Sequence, residues 1–256
     1  MRKNYIERMI AASGPNGQHP LVLFSGGMDS TMLLQELLQS MHVYTFYVEA
    51  NQHPHKVTRE REARDNLRRM FYDRYDYGIQ DDFEFELNEV FVQTNNYAMV
   101  QPISWLTAAL IKFDPSRHSG VAIGYLLGDQ APAFRREMED FWRSGWALLR
   151  GMQEPAPPLW FPLLDHGYTK YEVLKRLSHD LMSNTWVCEN PHKYDNQIVE
   201  CKHCKPCQLL RATLDDWRDH HTEEHPYRTL LSVHAGQLKF DFVEEDDNDC
   251  DLKAAA

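Results

Sequence analysis

The chain has 256 residues, 43% of them hydrophobic and 25% charged, with a formal net charge of −11. That length suits one large domain, or a domain with a small appendage, and can bury a substantial core. The negative charge disfavours non-specific attachment to nucleic acid or anionic lipid, and no run of about 18 apolar residues is present to form a membrane-crossing helix.

In chain order, MRKNYIERMIAASGPNGQHP reads as a short helix and a Gly/Pro-rich turn. It lacks the long apolar stretch of a secretory leader. PLVLF is a short, continuous apolar run and predicts a buried strand. STMLLQELLQS carries apolar residues at helical spacing, and VYTFYV is β-branched and aromatic, as in a strand. TREREARDNLRRMF predicts a polar, solvent-facing helix. DFEFELNEVF alternates like a strand, and AMVQPISWLTAALIKF contains a helical run. GVAIGYLLG predicts a further buried strand between glycines, followed by a long amphipathic helix in APAFRREMEDFWRSGWALLRGM. QEPAPPLWFPL is a proline-rich connector that cannot be helical throughout. TKYEVLKRLSHDLM predicts a helix that starts near Tyr168 or Thr169, and QLLRATLDDWRDH predicts another. The closing VEEDDNDCDLKAAA is acidic and predicts a mobile tail. Strands alternating with helices argue for an α/β fold with a parallel sheet, whose ligands sit at the C-terminal ends of the strands.

One such strand end carries FSGGMDS, residues 24–30. Gly26 and Gly27 bare the backbone, so N–H groups can approach a ligand closely. The following helix adds unpaired N–H groups and the positive end of its dipole, which makes an anion site suited to phosphate. Ser25 and Ser30 add hydroxyl donors. Asp29 repels phosphate unless it holds a cation or orients a donor, which points to Mg²⁺. The loop is neither G-x-x-x-x-G-K-[ST] nor G-x-G-x-x-G.

Four of the five cysteines lie within twenty residues, as C-x12-C-x2-C-x2-C: Cys188, Cys201, Cys204 and Cys207. This spacing suits a metal site in a reducing, cytosolic compartment better than a disulfide framework. Four thiolates match structural Zn²⁺, with an iron–sulfur cluster as the alternative. Lys202 and Lys205 moderate the negative charge, and Pro206 stiffens the last turn. His192 and His203 read as solvated loop residues, and Cys250 as a bystander in the acidic tail.

SGGMDS resembles the S-G-G-x-D-S signature of the PP-loop ATP pyrophosphatases. Together with the late four-cysteine cluster, the chain resembles the 7-cyano-7-deazaguanine synthase (QueC) family over about residues 20–214. AIGYLLGDQ matches that family's strand end and places Gly124 and Asp129; FPLLDHGYTKYEV places Pro162, Lys170 and Glu172; Arg211 follows the last cysteine as an arginine does in the family. The resemblance implies an adenine nucleotide alpha hydrolase-like, Rossmann-like domain with a small C-terminal zinc-binding segment. It divides the chain into an N-terminal extension at 1–20, a nucleotide-binding domain at 21–180, a zinc segment at 181–220 and a C-terminal extension at 221–256.

The chemistry implied is adenylation of the carboxylate of 7-carboxy-7-deazaguanine by ATP, displacement of AMP by ammonia to give an amide, and a second activation that leaves a nitrile. Phe24, Ser25, Gly26, Gly27, Met28, Asp29, Ser30 and Gly124 are then the ATP-binding residues. Asp29, Lys170 and Asp129 are the catalytic ones: Lys170 neutralises a phosphate, and Asp129 binds Mg²⁺ or a purine N–H. Arg135 or Arg136 stands for the family's substrate arginine, and Phe134 or Tyr125 is available to stack on a base or pack in the core. The family dimerises, although nothing in the sequence itself shows a dimer, and ammonia comes free or from another chain.

The substrate-side loops depart from the family. Its Asp-Tyr-Gly-Gln reads VEANQ here, its Gly-Arg-Asn reads VQPIS, and its Asp-Cys-Arg reads AFRR. A second reading therefore stands beside the first: a diverged conjugating enzyme that joins the activated deazaguanine to an amine of a partner protein in anti-phage defence. A third is a non-catalytic, zinc-stabilised nucleotide-binding module. Direct nucleic-acid binding is not expected, because no basic stripe is present.

Overall fold

A computed structural model describes residues 5–12, 18–49, 54–86, 99–194 and 197–221. The VEANQ loop in part, the turn at 13–17 and the acidic tail with Cys250 lie outside the described residues.

Helix α1 (Tyr5–Ala12) precedes strand β1 (His19–Leu23), helix α2 (Met28–Leu37), β2 (Val43–Glu49), α3 (Pro54–Arg74) and β3 (Ile79–Glu86). Helix α4 (Val100–Lys112), β4 (His118–Ala122), a 3₁₀ turn (Ala131–Phe134), α5 (Arg135–Arg150) and β5 (Leu159–Trp160) follow. Short helices α6 (Pro162–Asp165), α7 (Lys170–Arg176) and α8 (His179–Met182) lead to a small hairpin, β6 (His192–Tyr194) and β7 (Gln197–Val199), and to α9 (Lys205–His220).

The strands form a five-stranded sheet in the order β3-β2-β1-β4-β5, parallel throughout. The expected α/β parallel-sheet fold is therefore present. Alternation along β1 splits the core into two layers. Val22 faces one cluster, with Leu33 and Leu37 of α2, Leu67 and Phe71 of α3, and Val173 of α7. Leu21 and Leu23 face the other, with Leu106 and Leu110 of α4 and Met138, Trp142 and Trp146 of α5. Each such large apolar side chain contributes about 1.5–3 kcal/mol through burial. Strand order grows outward from β1 to β3, then restarts at β4 on the other side. The crevice at the C-terminal ends of β1 and β4 is thus a topological switch point, where ligands of open α/β sheets bind.

Three local expectations need correction, and one, the connector that is not helical throughout, gains a short strand. Helix α3 is not merely solvent-facing: Lys56, Glu60 and Arg64 are buried along with Leu67 and Phe71. Its charges are compensated by pairing, with Arg64 reaching Asp82 at 2.5 Å and Glu84 at 2.6 Å and lying 4.5 Å over the Tyr47 ring. The GVAIGYLLG strand ends at Ala122, because the chain turns at Gly124 against α2 and the Asp129 carboxylate takes the Leu126 N–H at 2.8 Å. The proline-rich connector contains β5, a two-residue strand on the edge of β4. TKYEVLKRLSHDLM is two short helices, with Leu177 and Ser178 between them and Thr169 as the N-cap that accepts the Glu172 N–H.

Candidate functional site

The loop after β1 is built by its glycines. Gly26 has φ +76°, which side-chain-bearing residues rarely adopt, and a Cβ there meets the Glu60 carbonyl oxygen at 3.0 Å and Arg64 Cγ at 3.1 Å. Gly27 is the N-cap of α2 and offers no capping side chain. The first-turn N–H groups of α2 are therefore left to a ligand. Ser25 Oγ accepts the Gly27 N–H at 3.3 Å and lies 3.4 Å from Ser30 Oγ. Ser30 and Thr31 hydroxyls both donate to the Gly27 carbonyl, at 3.1 and 2.8 Å. This web holds the turn while leaving its outer N–H groups bare.

The expected catalytic residues meet at this corner. Asp29 lies in the first turn of α2. Lys170, at the first position of α7 and 9% exposed, forms an ion pair with Asp29. Asp129 holds the loop after β4, and its carboxyl is raised above the usual range, first by burial and then by the negative charge of Asp29; Lys170 and Lys205 oppose the shift. Two carboxylates that repel each other beside a lysine fit a cation bound together with phosphate. Gly124 lets the β4 end approach: a Cβ there stands 3.1 Å from the Asp29 carbonyl oxygen. The α7 start is tied on by the Leu127 N–H, which donates to the Tyr168 carbonyl at 2.7 Å. A cavity of about 290 Å³ adjoins the cluster, lined by Leu126, Asp129, Lys170, Tyr171, Leu209 and Thr213 among others.

Other expected residues take different places. The Phe24 and Met28 side chains are buried in the core, so only their backbones belong to the loop. Tyr125 is also core, stacked between Trp105 at 5.8 Å and Phe161 at 6.2 Å. Phe134 packs on that layer as well. Arg135 is engaged by Asp165 and by Glu139 at 2.9 Å, and its guanidinium lies 5.1 Å over Phe161. Arg136 is exposed on α5, 3.9 Å from Asp140. Pro162 opens α6, Glu172 accepts from Arg176 at 3.0 Å, and Arg211 is exposed on α9.

The four cysteines converge. The sulfurs of Cys188, Cys201, Cys204 and Cys207 all lie within 4.8 Å of one another. Backbone N–H groups of Cys201, Cys204 and Glu189 donate to the sulfurs of Cys188, Cys201 and Cys204, at 3.1, 3.2 and 3.4 Å. Hydrogen bonding with Cys207 lowers the Cys188 thiol, while the same contact and burial raise Cys207. Four thiolates so close need a cation among them, and the donor set fits a metal centre. His192 and His203 are exposed and stand outside this set. Pro206 lies in the first turn of α9.

Two contributors escaped sequence reasoning. Trp186 donates its N–H to the Gly26 carbonyl at 3.0 Å. Lys56, 4% exposed on α3, pairs with Glu189 of the cysteine segment and with Glu60 at 3.6 Å. The one local hint was the position of Trp186, two residues before Cys188.

No protein-family model matches the chain, and no curated protein sequence matches it significantly. Among solved structures, the chain is similar to the U34-tRNA thiolase NcsA from Methanococcus maripaludis with its [4Fe-4S] cluster. That alignment covers 99% of this chain and 84% of the thiolase, with 14% identity and a TM-score of 0.41.

Proposed function

We propose that the chain is an ATP-dependent adenylating enzyme of the PP-loop type, acting on a carboxylate of the 7-carboxy-7-deazaguanine class. The observation that carries this reading is the Lys170–Asp29 pair, set at the uncapped start of α2 with Asp129 beside it. It supplies a cation for the phosphates and carboxylates for a divalent ion at the switch point of the sheet.

The Gly26–Gly27 corner and the first turn of α2 bind the phosphates through N–H groups. Lys170 neutralises charge that develops on them as pyrophosphate departs. Asp29 and Asp129 would hold Mg²⁺, which when bound screens the triphosphate against the incoming anion. The acceptor lies in the cavity beside Lys170 and Asp129, where Tyr171 and Leu209 give a flat base apolar walls. Its carboxylate oxygen attacks the α-phosphorus. The bond from that phosphorus to the pyrophosphate oxygen breaks, and the electron pair leaves with pyrophosphate. Ammonia then displaces AMP to give an amide, and a second adenylation of the amide oxygen followed by loss of AMP leaves the nitrile. The loop orients the reactants, turning a collision into a first-order step.

The ion proposed for the cysteines is one Zn²⁺. Zn–S bonds of about 2.3 Å give a tetrahedral edge of about 3.8 Å, within the 4.8 Å span of the sulfurs. A cubane cluster, with four irons between the thiolates, holds them farther apart. A metal site built from four unbridged cysteines supports a reducing, cytoplasmic setting for the enzyme. Among the described residues, no helix is long and apolar enough to cross a membrane.

The test is pyrophosphate release from ATP with and without the carboxylate and ammonium, followed by mass analysis of the acceptor. Acceptor-dependent pyrophosphate with amide or nitrile formed is expected. ATP left intact in the presence of the carboxylate sinks the reading.

A further inference from the structure

Trp186 stands where three parts of the molecule meet. Its backbone N–H donates to the Gly26 carbonyl in the phosphate loop at 3.0 Å. Its own carbonyl is 3.5 Å from the point where a Cβ on Gly27 would stand. Its indole N–H donates to the Cys188 carbonyl at 2.9 Å. The Arg59 guanidinium of α3 lies 4.8 Å over its ring. The residue is 7% exposed and packs with Ala63, Cys188, Cys201 and Cys207 in one buried cluster. Helix α3 closes the far side, with the Glu60 carbonyl and Arg64 Cγ against Gly26 and the Lys56 pair to Glu189 just after Cys188.

The peptide unit is planar, so the Gly26 carbonyl and the Gly27 N–H point in opposite directions along one rigid plane. Anchoring that carbonyl on Trp186 aims the Gly27 N–H toward Ser25 Oγ and the phosphate side of the turn. Gly26, at φ +76°, has no side chain to hold the plane by itself. The orientation therefore depends on where Trp186 sits. Trp186 in turn depends on Cys188, through the indole hydrogen bond and two intervening peptide units.

We propose that Trp186 is a positioning residue that couples the two sites: a filled four-cysteine centre sets the Gly26–Gly27 peptide plane and tightens triphosphate binding, and a bound triphosphate tightens metal binding in return. The inference rests on the adenylation reading only in taking the loop as a triphosphate site. Reciprocity follows from linkage, since each ligand favours the same arrangement of residues 186–189.

The test uses the full chain loaded with zinc. Affinity for a non-hydrolysable ATP analogue with Mg²⁺ is measured by calorimetry before and after chelator treatment. Zinc affinity is measured by equilibrium competition with a chromophoric chelator, with and without the analogue, starting from the folded, loaded chain. The expected result is a weakening of about tenfold in each affinity when the other ligand is absent. Trp186→Phe keeps the ring under Arg59 and removes the indole donor. It is expected to retain zinc and bind the analogue, with the coupling cut to about twofold or less. Analogue affinity indifferent to zinc, or full coupling in Trp186→Phe, overturns the proposal. A zinc-loaded wild-type chain that binds no analogue instead overturns the loop's assignment as a triphosphate site. The two failures are thus distinguishable.

Discussion

Lys170, at the first position of α7, sets its ammonium on the Asp29 carboxylate in the first turn of α2, across 141 positions of sequence. The pair is pre-formed and mostly shielded from solvent, with the lysine side chain 10% exposed and the aspartate 28%. An electrostatic group held in place before the reaction needs no reorganisation during it. Lys170→Met is therefore expected to lower acceptor-dependent pyrophosphate release about 100-fold or more. Asp29→Asn is expected to weaken the dependence on Mg²⁺ as well as the rate. Steady-state kinetics across a magnesium titration separates the two effects. Wild-type rates in both variants would remove this pair from the mechanism.

Gly26 is strained ground for any other residue. A methyl group there faces a left-handed backbone and contacts of 3.0–3.1 Å with Glu60, Ala63 and Arg64 of α3. The backbone term alone costs about 1–2 kcal/mol. Gly26→Ala is expected to lower stability to urea by at least about 1 kcal/mol, with loss of nucleotide-analogue binding. Gly128, also at positive φ but with nothing within 4 Å of its Cβ position, is the comparison. Gly128→Ala should keep analogue binding near wild type.

His118 predicts an acid-sensitive stability. Its ring is 3% exposed, packs 4.8 Å from Tyr44 and 5.3 Å from Phe113, and accepts the Asp114 N–H at 2.9 Å on Nδ1. Its Nε2 is buried with no hydrogen-bond partner among the described residues. Burial, with the Arg117 charge second, holds its pKa down to about 4 from an ordinary 6.5. Between those two values the unfolded chain binds the proton and the folded chain does not. Folding stability from this group is thus full above pH 6.5 and lost as pH falls toward about 4. His118→Asn keeps an acceptor for Asp114 and removes the titration. Its Tm should fall less than that of the wild type over this range, and parallel profiles would contradict the assignment.

Arg64 ties α3 to β3 and underlies the Gly26 turn. Its side chain is 2% exposed and bonds Asp82, itself 4% exposed. Asp82 also accepts from Thr45 at 2.6 Å and faces Arg68 at 3.2 Å. Removing one partner of a buried pair leaves the other uncompensated, typically about 3–5 kcal/mol. With Arg68 still present, Arg64→Met is expected at the lower end, about 3 kcal/mol by urea unfolding. The double variant Arg64→Met with Asp82→Leu should recover part of that loss. No recovery would show that Arg64 acts through packing on Tyr47 rather than through charge.

Short-range physics was written into the sequence. The apolar run of β1, two bare glycines and a following helix announced a strand–turn–helix corner, because strand, turn and helix start are each decided by adjacent residues. The C-x2-C-x2-C spacing announced clustered sulfurs, because tight turns bring near neighbours together. Thr169 declared its helix start through a side chain that needs only the N–H three residues on.

Only the tertiary structure decided the rest. Lys170 was a candidate by position, but its partner lay on another element. The buried face of α3 was invisible, since Lys56, Glu60 and Arg64 look like solvent residues until a Tyr47 hydroxyl arrives from β2 and counter-charges arrive from β3 and the cysteine segment. Strand β5 has two residues, too few to show a period, and exists because β4 offers an edge. Trp186 meets Gly26 across 160 positions, and that contact comes from how the cysteine segment is laid against the glycine loop after β1. Periodicity records which face of an element is apolar. It does not record which distant polar group will compensate a buried one, because compensation depends on three-dimensional distance and leaves no pattern along the chain.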